Sequence, residues 1–156
     1  MDQERRTFVQ TAGGAGVLAV LAASGFLKVC EAKAALWNKP AFDAETLEDA
    51  LRELVDGPLN ENPAVTIVAP EIAENGAVVP VGVVADMTNV ESIAILCEKN
   101  PHPLAAVYEL PAGTLADVKT RVKMAQTSNV LVLVKANGRV HMARKEIKVT
   151  RGGCGG

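Results

Sequence analysis

Residues 129–150 read NVLVLVKANGRVHMARKEIKVT. Five apolar residues, Val130 through Val134, alternate valine with leucine. Asn137-Gly138 then separates this run from a second that continues to Thr150. Asn-Gly is the favoured pair in two-residue type I′ turns, which need positive φ at both central positions. The stretch therefore predicts a β-hairpin, with strands at 129–136 and 139–150.

The same signature recurs upstream. Short β-branched or alternating runs stand at 65–69, 77–85, 91–98, 104–110 and 117–125. Turn residues punctuate them, among them Asn75-Gly76 and Asn100-Pro101-His102-Pro103. In 117–125 (DVKTRVKMA) the apolar Val118, Val122 and Met124 alternate with charged residues. One helical pattern precedes the strands: Leu47, Ala50, Leu51, Leu54 and Val55 recur at i, i+3, i+4, i+7 and i+8. It predicts one helix over 42–56, capped by Asp43 and stopped by Gly57-Pro58. About seven strands follow with no helices between them, which argues against a parallel α/β sheet. The expected fold is all-β, an immunoglobulin-like antiparallel β-sandwich with an N-terminal helix. The chain has 156 residues, 49% of them hydrophobic and only 3% aromatic, so the core must be aliphatic. A formal net charge of −2 gives no electrostatic case for nucleic acid.

The first 34 residues differ from the rest. Arg5-Arg6 precede Thr7-Phe8-Val9, an uncharged run spans 11–27, and Ala32-Lys33-Ala34 offers a small-residue cleavage site. This is the three-part layout of an export signal, and the paired arginines resemble a twin-arginine (Tat) leader. The run holds 17 residues and is rich in glycine, short of the roughly 20 apolar residues of a membrane span. The expected organisation is a cleaved signal over 1–34, a folded domain over 35–150 and a C-terminal arm over 151–156. The expected location is the periplasm. Cleavage leaves two cysteines, Cys97 and Cys154.

Cys97 lies in ESIAILCE on one strand face with Ile93 and Ile95, the pattern of a small buried hydrophobe. His102 and His141 are the only histidines. No H-x-x-x-H or C-x-x-C spacing points to a metal, and no histidine is placed by sequence beside a cysteine nucleophile. Cys154 is different. It stands in Gly152-Gly153-Cys154-Gly155-Gly156, at the end of the last strand. Glycines keep such an arm slim and free to turn. The five residues beyond Val149 reach about 17 Å when extended. An ordinary thiol with a pKa near 8.5 is only a few per cent thiolate at neutral pH, so it needs partners for its chemistry. That is carrier behaviour rather than enzyme behaviour.

With GGCGG at 152–156 preceded by Lys148-Val149-Thr150, with KNPHPLAA at 99–106 and with the twin-arginine leader, the chain resembles the SoxY family of sulfur carriers. The resemblance implies a non-catalytic subunit, without a cofactor of its own, in a heterodimer with SoxZ. It implies that Cys154 holds thiosulfate-derived groups covalently. A haem c enzyme, SoxXA, would load it. The dimanganese hydrolase SoxB would then release sulfate, and a molybdenum–haem dehydrogenase, SoxCD, would oxidise the remaining sulfur where it is present. Two other readings stay open: a terminal Gly-Gly thiocarboxylate carrier, and a periplasmic β-domain joined to a partner by a Cys154 disulfide.

Overall fold

The computed structural model describes residues 38–151. Among them, two short helices, α1 (Lys39–Asp43) and α2 (Leu47–Leu54), precede nine strands. These are β1 (Asn60–Glu61), β2 (Val65–Val68), β3 (Ile72–Ala73), β4 (Val79–Ala85), β5 (Val90–Cys97), β6 (Leu104–Glu109), β7 (Asp117–Val122), β8 (Ser128–Ala136) and β9 (Arg139–Val149). Every strand expected from the sequence is present, and β1 and β3 are additional. No described helix is long and apolar enough to cross a membrane.

The hairpin forms as its turn chemistry requires. Ala136 pairs with Arg139, and Asn137 and Gly138 take φ of 51° and 71°. Its tip is clipped to the neighbouring turn. Asn89 Nδ2 donates to Asn137 Oδ1 at 2.9 Å, and Gly138 N donates to Glu91 Oε1 at 2.9 Å. That backbone bond, above all, holds the Glu91 carboxyl below its usual range.

The strands make the expected sandwich. The larger sheet runs β1-β9-β8-β5-β6, with β3 also on β9, and the smaller runs β2-β4-β7. The pairing is antiparallel except where β1 and β3 join β9 in parallel. Alternation decides what lies between the sheets. Val81 and Val83 of β4, Ile93, Ile95 and Cys97 of β5, and Val130, Val132 and Val134 of β8 face inward and are buried. Each such side chain stabilises the fold by about 1.5–3 kcal/mol when fully buried, which is how a chain so poor in aromatics builds a core. The middle strands β5 and β8 are apolar on both faces. On the outer face Ala94, Leu96, Leu131 and Leu133 meet the helices through Ala41, Ala50, Leu47 and Leu51.

The helical segment departs from expectation. It is two helices, not one. Asn38 caps α1 by accepting from Ala41 N at 3.2 Å, with Pro40 in the first turn, a position that tolerates its missing N–H. Asp43 ends α1 and pairs with Lys39 instead of capping. Ala44 then turns extended, and Thr46 caps α2 by accepting from Asp49 N at 3.1 Å. The helix stops at Leu54, ahead of Gly57. Asn75-Gly76 turns as its residues suggest: Val78 N donates to Asn75 O at 3.4 Å and Asn75 Oδ1 accepts from Ala77 N at 2.8 Å, where the chain crosses from one sheet to the other.

Candidate functional site: the root of the C-terminal arm

β9 delivers the chain's end to one pole of the sandwich, opposite the hairpin tip. The last described residues are held there by backbone hydrogen bonds. β3 lies parallel to β9, with Ile72 beside Lys148 and Ala73 beside Val149. Lys148 N donates to Glu71 O at 2.9 Å and Thr150 N to Ala73 O at 3.1 Å. Gly76 N donates to Arg151 O at 2.7 Å. Thr150 Oγ1 adds a bond to Glu74 O at 3.1 Å. From the other side, Thr127 Oγ1 accepts from Val149 N at 2.9 Å. The chain is thus tied to the body up to Arg151.

This pole gathers three loops. Gly76 O accepts from Met124 N at 2.7 Å, so Gly76 bridges the arm root and the end of β7. Asn100 Nδ2 donates to Lys123 O at 2.7 Å, and Asn100 Oδ1 accepts from Ala125 N at 2.9 Å. Asn100 belongs to the KNPHP loop, so that loop is coupled through residues 123–125 and Gly76 to Arg151. His102 of the same loop turns elsewhere: its Nδ1 donates to Ala44 O at 3.3 Å, toward the helices. His141 accepts from Asn62 Nδ2 at 3.0 Å in the first half of β9.

Cys154 and Gly152, Gly153, Gly155 and Gly156 lie outside the described residues, as do Arg5 and Arg6 of the expected leader. For the C-terminal five, the structure fixes the residue that they follow, Arg151. Only three residues, 152–154, separate the anchored Arg151 carbonyl from the thiol. Extended, they span about 10 Å, less than the reach counted from Val149, because Ala73 and Gly76 tie Thr150 and Arg151 to the body.

Cys97 is a free thiol, fully buried between the sheets. Desolvation pushes its pKa up to about 11. Among the described residues no three His, Cys, Asp or Glu side chains stand together as a metal site.

The sequence reading did not find the anchoring residues Gly76, Asn100, Met124 and Thr127. Asn100 carried a signal as part of the KNPHP stretch, and Gly76 as part of the Asn75-Gly76 turn, though neither signal pointed to the anchor. The anchoring itself runs through the backbone groups of Gly76 and Met124 and the hydroxyl of Thr127, which leave no pattern of their own.

Residues 52–154 match the family described as sulfur oxidation protein SoxY, with Cys154 the last matched position. No curated protein matches. Among solved structures, the chain is similar to the sulfur carrier protein SoxY from Chlorobium limicola f thiosulfatophilum. The identity is 38% and the TM-score 0.61, over 67% of this chain and 96% of that one. It is also similar to a superoxide reductase (neelaredoxin) from Ignicoccus hospitalis, at 20% identity and a TM-score of 0.50, over 55% of this chain and 80% of that one. At that identity the likeness concerns the fold alone.

Proposed function

The chain belongs to the SoxY family of sulfur oxidation proteins, and from that premise we propose that it carries thiosulfate-derived sulfur covalently on Cys154 in the periplasm. The observation that carries this reading is the anchoring at Arg151. A chain tied down to that residue and followed by Gly-Gly-Cys-Gly-Gly presents a thiol at a fixed place on a short, slim tether. Such a thiol enters the active site of a partner while the body stays outside.

The chemistry follows from the thiol. Loading joins Cys154 Sγ to the outer sulfur of thiosulfate: Cys–SH and S2O3²⁻ give Cys–S–S–SO3⁻, one proton and two electrons. The electrons go to a haem enzyme of the SoxXA class. Hydrolysis by a SoxB-class enzyme then cleaves the S–SO3⁻ bond. Water supplies the fourth oxygen of sulfate, and a persulfide stays on Cys154. A SoxCD-class dehydrogenase would oxidise that sulfur further. The present chain binds, presents and withdraws, and a SoxZ-type β-protein is its stable partner.

The test is the intact mass of the protein recovered from the periplasm of thiosulfate-fed cells. A mass beginning at Ala35, with sulfur or thiosulfate increments on Cys154, is expected. Cys154→Ser should lose the increments and thiosulfate-dependent turnover while keeping its circular dichroism and its pairing. Retention of the leader in the exported protein, or increments on the Gly156 carboxylate, would overturn the reading.

A further inference from the structure

β7 and the residue after it place Lys119, Arg121 and Lys123 at alternate positions, and all three are exposed. Val118, Thr120, Val122 and Met124 take the intervening positions and turn toward the core. The cations therefore form a stripe on the outward face of the smaller sheet. Register puts Arg121 beside Pro80 and Lys119 beside Gly82, so no carboxylate faces them across β4. Lys119 pairs with Asp117 at 3.7 Å. Arg121 and Lys123 have no acidic partner among the described residues. Glu71 and Glu74 are the acidic residues of the β3 segment, and Lys148 of β9 and Arg151 just beyond it offset them in number. Arg121 and Lys123 are thus in excess at this pole.

Backbone bonds tie this strand end to Arg151, the last described residue. Gly76 donates to Arg151 O and accepts from Met124 N, each at 2.7 Å. The arm root and the residue after Lys123 are therefore within about 10 Å of each other, the same length as the tether to Cys154. The thiol can stand over Lys123 without any movement of the sandwich.

We propose that Arg121 and Lys123 form a cationic landing for the sulfonate end of the group carried on Cys154. This rests on the carrier reading for the identity of the cargo. A bare thiol has no charge for the landing to hold. A thiosulfonate, Cys–S–S–SO3⁻, ends in a sulfonate with three acceptor oxygens, a group that a guanidinium and an ammonium both bind. The landing therefore distinguishes a loaded arm from an empty one. It also concentrates anionic reagents beside the thiol.

The experiment needs no partner enzyme. In the mature chain Cys97 is buried, so reagents read Cys154. Tetrathionate, a dianion, loads the thiolate by exchange: Cys–S⁻ and ⁻O3S–S–S–SO3⁻ give Cys–S–S–SO3⁻ and S2O3²⁻. Iodoacetamide, which is neutral, alkylates the same thiolate. The ratio of the two rate constants cancels the thiolate fraction and leaves the electrostatic attraction. At an ionic strength of about 0.01 M, the double variant Arg121→Gln/Lys123→Gln should lower this ratio about fivefold; near 1 M the difference should vanish. Arg139→Gln, at the far tip of the hairpin, should leave the ratio unchanged. An unchanged ratio in the double variant overturns the landing. If that variant instead slows only loading by a partner enzyme, the two cations face an enzyme surface, and the proposal again fails. Should the ratio fall as expected while no partner loads Cys154, the landing stands and the carrier reading fails.

Discussion

Cys97 is a thiol that the fold keeps from water. Cys97 sits with Ile93 and Ile95 on the inward face of β5, with no exposed surface. Low polarity disfavours the thiolate, and its pKa rises from 9.0 to about 11. Between these values the folded state holds a proton that the unfolded state has lost. The stability that this supplies is complete below pH ~9 and is lost as pH rises toward 11, by about 2–3 kcal/mol in all. Urea midpoints measured across that range should fall in the wild type, and fall less in Cys97→Ala. At neutral pH a thiol reagent should modify Cys154 within minutes and reach Cys97 only at the rate of unfolding. Prompt labelling of Cys97 in the native protein would show that its burial is incomplete.

Among the elements, the β8–β9 turn is the most sharply specified. Gly138 holds φ at 71°, and a Cβ built there meets nothing within 4 Å. Gly138→Ala therefore isolates the backbone cost of that conformation, about 1–2 kcal/mol, which a urea titration reads directly. Asn137-Gly138 was legible because the turn needs those residues, and β4, β5 and β8 because burial imposes unbroken or alternating apolar runs. The helical region was only half legible. The Leu47–Val55 stripe marks α2 truly, but the break before it lies in Thr46-x-x-Asp49, a capping pattern, and in Asn38-Lys39-Pro40, a helix start. Both are present in the sequence, but a single helical period running through them masks the break. β1 and β3 could not have been read at all. Two residues show no period, and these strands exist because β9 offers them its edge. The anchoring of Arg151 was hidden for the same reason. Of the site, the terminal cysteine and its glycines are read from the sequence and lie outside the described residues, whereas the foundation at Thr150 and Arg151 is made of bonds between segments some 75 residues apart in the chain.

At the scale of the whole molecule, the question is which surface the proposed SoxZ-type partner would take. A sandwich exposes sheet edges, and an unguarded edge invites another strand. In the larger sheet β1 and β3 already cover β9. In the smaller sheet β7 is guarded by Asp117, Lys119 and Arg121, and β2 is only four residues long. β6, at the other end of the larger sheet, has no strand beyond it among the described residues. Its six residues, LAAVYE, carry no charge before Glu109. Strand addition at β6 would extend the larger sheet and leave the arm pole free, as a carrier requires. We expect a SoxZ-type partner to bind there and to bury about 1,200–2,000 Å². Ala105 is exposed on β6, so Ala105→Lys adds a charge without disturbing the core. It should weaken pairing by about tenfold or more, roughly 1.4 kcal/mol. Val68→Lys, on the outward face of the smaller sheet and 59% exposed, should leave affinity within about twofold, the scale of an ordinary surface change. Isothermal titration of both variants against the partner decides the matter. The reverse order of effects would move the interface to the smaller sheet, on the same face as Arg121 and Lys123, and the cationic landing would then have to share that face with the partner.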